Sequence, residues 1–379
     1  MPFAAALSEH LLATQATGEV VGEVLDRLGG QPPDLAVLFV TRPHVGALDD
    51  IAATVRTLLA PTTLLAATAV SVLGGQAEAE EVAAISLWAG HTGPVISLAL
   101  EAVPAADGTV EVLGLEPAQL DQAKTMLLIA DPASFPVDSF LAQLSVSHPD
   151  LQVVGGMASA GFGAGGNRLV VDGRVLDHGA VGVLIPASQP ITTVVSQGCA
   201  PIGDPFTVTR AERTMIHEIA GRPALQWLQE IVGALTPEMR RKAAAGLHIG
   251  RVVDDRKVTF ERGDFLVRNI LGADPTNGAV AVGDVVEVGA TVQLQVRDAA
   301  SADADLRSLL ADHRAQGALV FTCNGRGARF FGEPHHDAMV ITEALGTIAI
   351  GGMFCAGEIG PVGTANFVHG FTASVALFG

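Results

Sequence analysis

The sequence predicts an α/β protein: mixed, partly parallel sheets built from repeated strand-helix-strand units and gathered in two lobes. Three observations predict it. Three segments share one order of short apolar runs and helical stretches. The runs are continuous rather than alternating, as in strands covered on both faces. A seven-residue glycine loop also occurs twice: Gly155-Gly156-Met157-Ala158-Ser159-Ala160-Gly161 and Gly351-Gly352-Met353-Phe354-Cys355-Ala356-Gly357 differ only at their fourth and fifth positions.

The first segment has a strand at 35–40, a helix at 48–59, a strand at 63–72 that ends near Gly74-Gly75, and a strand at 82–87. The second repeats this with a strand at 126–130, a helix at 137–147, a strand at 151–154 running into the glycine loop, and strands at 168–171 and 180–185. The third has a strand at 318–323, a helix at 337–345, a strand at 347–350 running into the second loop, and a strand at 367–378. Apolar strands alternating with helices give α/β architecture. Glycines at a strand end bring its backbone close to a neighbour, because no side chain stands in the way.

The region between the second and third segments reads differently. Pro223 opens a helix with Leu225, Leu228, Val232 and Leu235 on one face. Residues 291–297 alternate strictly, with Val292, Leu294 and Val296 on one side and Thr291, Gln293, Gln295 and Arg297 on the other. That is the pattern of a half-buried strand. Asn277-Gly278 suits a tight hairpin turn, and the acidic, alanine-rich stretch 298–305 leads into a helix at 306–316. The boundary between lobes is placed within 209–221.

Apolar residues make up 49% of the 379 residues and charged residues 16%, which excludes disorder and gives large cores. A net charge of −18 repels phosphates, so neither nucleic acid nor an anionic membrane surface is an expected partner. Arg240-Arg241-Lys242 is short and reads as a solvated helix face. Three cysteines, none in a CxxC pair, cannot build a disulfide framework. With no signal peptide and no long apolar span, a cytoplasmic location is expected. The low charge density favours a homodimer.

Phe321-Thr322-Cys323-Asn324-Gly325-Arg326-Gly327 is the strongest candidate site. A buried strand delivers Cys323 and Asn324 to its carboxyl end, where α/β sheets tend to bind ligands. Glycine-flanked amides of Gly325 and Gly327 can cradle an anion, and Arg326 can grip a carboxylate with two parallel bonds. The bland alternative is a tight turn with a solvated arginine. After the second glycine loop, Glu358 is a lone carboxylate among apolar and glycine residues. It needs an ammonium or an internal partner such as Arg326 if buried. Gly352, Phe354 and Cys355 complete the expected ligand-binding set.

Other motifs carry less. Cys323 as a nucleophile would need a base, with His335, His336 and His369 as candidates. Glu333-Pro334-His335-His336-Asp337 places neighbouring side chains on diverging directions, so no metal site is expected and Asp337 helps begin a helix. Gly161-Phe162-Gly163-Ala164-Gly165-Gly166 matches GxGxxG but is followed by a strand and turn, not a helix, so it binds no dinucleotide. Arg268 and Asn269, polar inside an apolar run, belong either to a hydrogen-bond network or to a pocket wall.

Residues 34–40, Arg268-Asn269-Ile270-Leu271-Gly272, Cys323-Asn324-Gly325-Arg326-Gly327, Phe354-Cys355-Ala356-Gly357-Glu358-Ile359-Gly360-Pro361, Asn366-Phe367 and His369-Gly370 together resemble the FIST family. The resemblance runs from about Gly30 to Phe378 and implies a FIST N-like domain at 30–215 and a FIST C-like domain at 216–379. It implies a sensory module that binds small molecules, amino acids among them. In many bacterial members that module is joined to signalling output domains, and in a eukaryotic relative to an F-box. Here a standalone form is expected, passing its signal by contact with a protein partner. The family supplies no catalytic residues, so the expected site rests on the residues themselves.

The leading expectation is therefore a sensor of a small carboxylate or amino acid, with no cofactor and no catalysis. The alternatives are an enzyme using Cys323 as nucleophile with an amide oxyanion hole, and a protein-interaction scaffold.

Overall fold

Along strand Leu35–Thr41, Leu35, Val37 and Phe39 face one core while Ala36, Leu38 and Val40 face another. Strands Ala123–Ala130 and Gly317–Cys323 do the same. Leu127 and Ile129, and Leu319 and Phe321, join the core that holds Phe39, while Met126 and Leu128, and Ala318 and Val320, face two further cores. The continuous apolar runs are thus strands buried on both faces. Three sheets turn their inner faces to one shared core. Helices Ala13–Leu28 and Leu48–Leu59 cover the first sheet outside, Val137–Ser147 the second, and His336–Leu345 the third.

The computed structural model describes residues 2–105, 110–189, 191–257 and 259–379. It divides into two compact units: residues 1–196, 306–368 and 372–379, and residues 197–305 with 369–371. The three sheets belong to the first unit.

Each sheet is built on the same trio. Strand Leu35–Thr41 lies parallel to Thr63–Ala69 and antiparallel to Ile85–Gly90. Strand Ala123–Ala130 lies parallel to Gln152–Met157 and antiparallel to Ala180–Pro186. Strand Gly317–Cys323 lies parallel to Ala349–Cys355 and antiparallel to Thr372–Phe378. The three similar segments of the sequence are therefore three structural modules.

The modules exchange hairpins in a ring. Val72–Gly74 with Ala77–Ala79, from the first module, extends the third sheet beside Ala349–Cys355. Leu169–Val171 with Arg174–Leu176, from the second, extends the first sheet beside Thr63–Ala69. Glu358–Val362 with Ala365–His369, from the third, extends the second sheet beside Gln152–Met157. This exchange is why 63–72 and 367–378, expected as single strands, are each broken. Thr63–Ala69 ends before Val72–Gly74 leaves for another sheet, and Ala365–His369 ends before Thr372–Phe378.

The two glycine loops sit at equivalent strand ends but one residue out of step. Met353 packs into the shared core, whereas Met157 packs on the outer side of its sheet. Gly156 faces inward, where a Cβ would strike the Cys355 sulfur, and Gly352 is pressed against the Val320 carbonyl. The sequence repeat marks the right places in the fold without preserving the facing of its side chains.

The second unit carries a seven-stranded sheet with strand Cys199–Glu212 at one edge, followed by Thr291–Arg297, Leu247–Val252 and Phe265–Asp274. Its apolar face packs Val292, Leu294 and Val296 with Trp227 of helix Ala224–Ala234. Pro223 caps that helix as expected; Ala224 and Trp227 are its fully buried residues, and Leu225, Leu228 and Leu235 of the expected face pack against the same core. Gly278 takes φ +72° in the turn between Phe265–Asp274 and Ala279–Val282. The helix expected at 306–316 runs instead over Ala299–Leu310: the alanine-rich stretch is helical, with Asp298 accepting from the backbone N–H groups of Ala300 and Ser301 at its start.

Candidate functional site

Parallel pairing sets Cys323 directly beside Cys355, and the Asn324 N–H donates to the Cys355 carbonyl at 3.0 Å. The two carboxyl strand ends singled out in the sequence are therefore neighbours. The exchanged hairpin brings a third element: Glu358 pairs with Gly156, and its side chain is fully buried. Glu358 Oε2 accepts from the Thr372 N–H at 3.1 Å and the Thr372 hydroxyl at 2.8 Å. Its Oε1 meets no donor at hydrogen-bonding geometry. Burial pushes the Glu358 carboxyl up to about 8, against the Thr372 bonds, the Arg326 charge and the neighbouring Cys323 thiol, which pull it down.

Arg326 is 1% exposed. The two parallel bonds expected to hold a ligand carboxylate run to Asp337 instead, Nε to Oδ2 at 2.9 Å and Nη2 to Oδ1 at 2.8 Å. Asp337 also accepts from the Thr322 hydroxyl at 2.6 Å and contacts His336 Nδ1 at 3.1 Å. Burial alone would raise the Asp337 carboxyl. The Arg326 charge and these bonds override it and hold the group well below the carboxylate range. The third guanidinium nitrogen, Nη1, is buried with no partner, and the guanidinium lies 5.2 Å over the Phe331 ring.

Three amides of this turn are also occupied from within. The Gly325 N–H points to Cys323 Sγ at 3.4 Å, the Arg326 N–H to the Cys323 carbonyl at 2.8 Å, and the Ala328 N–H to Glu80 Oε1 at 2.8 Å. A Cβ on Gly327 would displace the Glu80 carboxylate from the Ala328 N–H. Of the nine expected ligand residues, Cys323, Arg326, Cys355 and Glu358 gather at one end of the shared core. Cys323 is half-buried; the other three are buried. Gly325 and Gly327 form the turn below them. Asn324 is exposed, and Phe354 and Gly352 face the outer side of the sheet. Cys355 is enclosed, and burial, with the Glu358 and Cys323 charges, raises its thiol well above the ordinary value.

Sequence reasoning missed Thr372, the pairing role of Asp337, and Glu78. Glu78 arrives on the hairpin from the first module, and its Oε1 accepts from the Ala338 N–H at 3.0 Å while Oε2 has no partner. Burial, then the Asp337 charge, push its carboxyl to about 8. Two of the three histidines weighed as bases have other duties. His335 Nδ1 accepts from the Glu78 N–H at 2.9 Å, and the His336 ring stacks on Phe331 at 3.4 Å between centroids. Among the described residues no group of three or more His, Cys, Asp or Glu is arranged to hold a metal. No helix of the described residues is long and apolar enough to cross a membrane. A cleft of about 380 Å³ lined by Phe3, Arg27, Gln316 and Ile348 lies at the opposite strand ends and contains none of the expected site residues.

The arrangement joins a buried, half-satisfied carboxylate, a buried guanidinium nitrogen without a partner and a half-buried thiol. Chemically it can complement a ligand bearing a cationic group.

Comparison with known proteins gives a consistent match. Residues 34–222 match the FIST N domain and residues 224–361 the FIST C domain. An uncharacterized protein of Mycobacterium tuberculosis is 42% identical over 372 residues, covering 96% of each chain. An uncharacterized protein of Mycobacterium bovis is 42% identical over 374 residues, covering 97% of this chain and 96% of the relative.

Proposed function

Because the chain belongs to the FIST family, whose domains are associated with sensing small ligands in signal transduction, we propose that it binds a small amino compound, an amino acid foremost, at the Cys323–Glu358 strand ends. Glu358 Oε1 accepts the ligand ammonium. Arg326 Nη1 meets its carboxylate, and the Cys323 thiol borders the ligand. The bound state is then read by a protein partner in the cytoplasm. The observation that carries the reading is Glu358: a fully buried carboxylate with one oxygen left without a donor. Such an oxygen is costly to leave unpaired, and a ligand cation both satisfies it and favours its ionised form.

The test is calorimetric titration of the intact chain with a panel of amino acids and their N-acetyl counterparts. A hit is expected among the free amino acids only, and Glu358→Gln, which keeps shape and burial, should weaken it at least tenfold. A hit that binds its N-acetyl form equally, or that ignores Glu358→Gln, contradicts the reading.

A further inference from the structure

Sequence alternation assigns one face of strand Thr291–Arg297 to solvent. The structure buries part of it: Gln295 is 2% exposed and Gln293 9%. Gln293 is satisfied, donating to the Gly203 carbonyl at 2.6 Å. Gln295 is not, since its amide nitrogen has no partner. Directly across the ladder lies His248, 5% exposed, with neither ring nitrogen at hydrogen-bonding geometry to another group. Asn269 pairs with His248 on the next strand, and Arg297 follows Gln295 on the same face. Phe371, which belongs to the same unit, lies 4.4 Å from the His248 ring and 5.0 Å beneath the Arg297 guanidinium, holding both in place.

Two glycines stand against these buried donors. A Cβ on Gly250 would come within 2.9 Å of the Gln295 amide nitrogen, and one on Gly246 within 3.4 Å of His248 Nε2. The face is rich in donors. The ladder partners of His248 and Gln295 here are Asn269, one another and Pro201, with no carboxylate among them. Within the unit Asp284 lies with Arg268 and Arg251, Asp298 with Lys242, and Asp305 with Arg262.

We propose that this face of the second unit is a binding site for a small carboxylate, held by the Gln295 amide and the His248 N–H beside the Arg297 charge. A carboxylate offers two acceptors in one plane, matching two N–H donors on adjacent strands. The site uses none of the residues assigned above and stands apart from that reading. Burial, then the Arg297 charge, lower the His248 ring to about 4 against the Asn269 side chain, so it is neutral at pH 7 and presents a single N–H. An anion beside it favours ring protonation, so binding carries its own signature.

The experiment follows the His248 ring and Gln295 amide resonances of the intact protein at pH 7, assigned by their loss in His248→Phe and Gln295→Leu. Sodium acetate is titrated in, with inorganic phosphate as a separate arm. Saturable shifts with acetate, at least tenfold weaker in Gln295→Leu, are expected, together with a rise of one unit or more in the His248 pKa. Glu358→Gln should leave the acetate response intact. Gln295→Leu should keep or raise the melting temperature, since it removes an unpaired donor. If it unfolds the chain, Gln295→Asn, which retracts the amide by one carbon, takes its place. The absence of a saturable acetate shift, an undiminished response in the Gln295 variants, or a phosphate response equal to that of acetate overturns the proposal.

Discussion

At the scale of single residues, the site is governed by how many bonds each buried charge can make. Asp337 collects donors from Arg326 and Thr322, while Glu358 has Thr372 and the neighbouring Cys323 thiol, with Oε1 at hydrogen-bonding geometry to no donor. The folded value of Glu358, about 8, lies above the 4.5 of an unperturbed carboxyl. Between those values the native state holds a proton that the unfolded chain has released. Stability present at pH 4.5 is therefore lost as pH rises toward 8, by at most roughly 5 kcal/mol. Thermal melts from pH 5 to 8 should show this decline, and Glu358→Gln should flatten it in part, leaving the similar contribution of Glu78. An identical decline in the variant would contradict the assignment. The Arg326–Asp337 pair behaves differently, because removing one partner strands the other. Arg326→Met should cost about 3–5 kcal/mol in denaturant unfolding. The double variant Arg326→Met with Asp337→Asn should cost less than the two single losses added together; simple additivity would show that the pair is not coupled.

At the scale of elements, the glycines separate into those that allow close approach and those that do not. Gly352 lies against the Val320 backbone carbonyl, where no rotamer change relieves a Cβ, so Gly352→Ala should destabilise by about 2–4 kcal/mol. Gly22 sits exposed within helix Ala13–Leu28 with nothing near its missing Cβ, so Gly22→Ala should stabilise by about 0.5–1 kcal/mol. Urea midpoints of the two variants give both signs in one series. The strand ends at Cys323 and Cys355 and the helices 48–59 and 137–147 were legible because periodicity and local composition set them. Glu78 and Thr372 were not, because hairpin exchange and antiparallel return bring them in from distant chain positions. Asp337 was read only as a helix starter, since a run of neighbouring polar residues does not disclose that one of them turns inward to an arginine eleven positions earlier. Gln293 and Gln295 were misread because alternation reports which residues are apolar, and a buried polar face looks the same in sequence as a wet one.

At the scale of the whole molecule, the ring of exchanged hairpins makes the three modules of the first unit interdependent. The second sheet takes an edge from the third module, the third from the first, and the first from the second. Native-state hydrogen exchange should accordingly give the central strands Leu35–Thr41, Ala123–Ala130 and Gly317–Cys323 one common opening free energy; three distinct values would mean that the modules unfold separately. The threefold repetition was legible in the sequence, but the exchange was not, because a hairpin reads alike whichever sheet receives it. The proposed recognition depends on this architecture, since it is an exchanged hairpin that carries Glu358 into the core. The most direct measurement is a carbon-13 titration of the Glu358 carboxyl in the intact protein, assigned by Glu358→Gln, with and without methylammonium. The account predicts a midpoint near 8 that falls by a unit or more when the cation is present; a midpoint in the ordinary carboxylate range, or one indifferent to methylammonium, would contradict it.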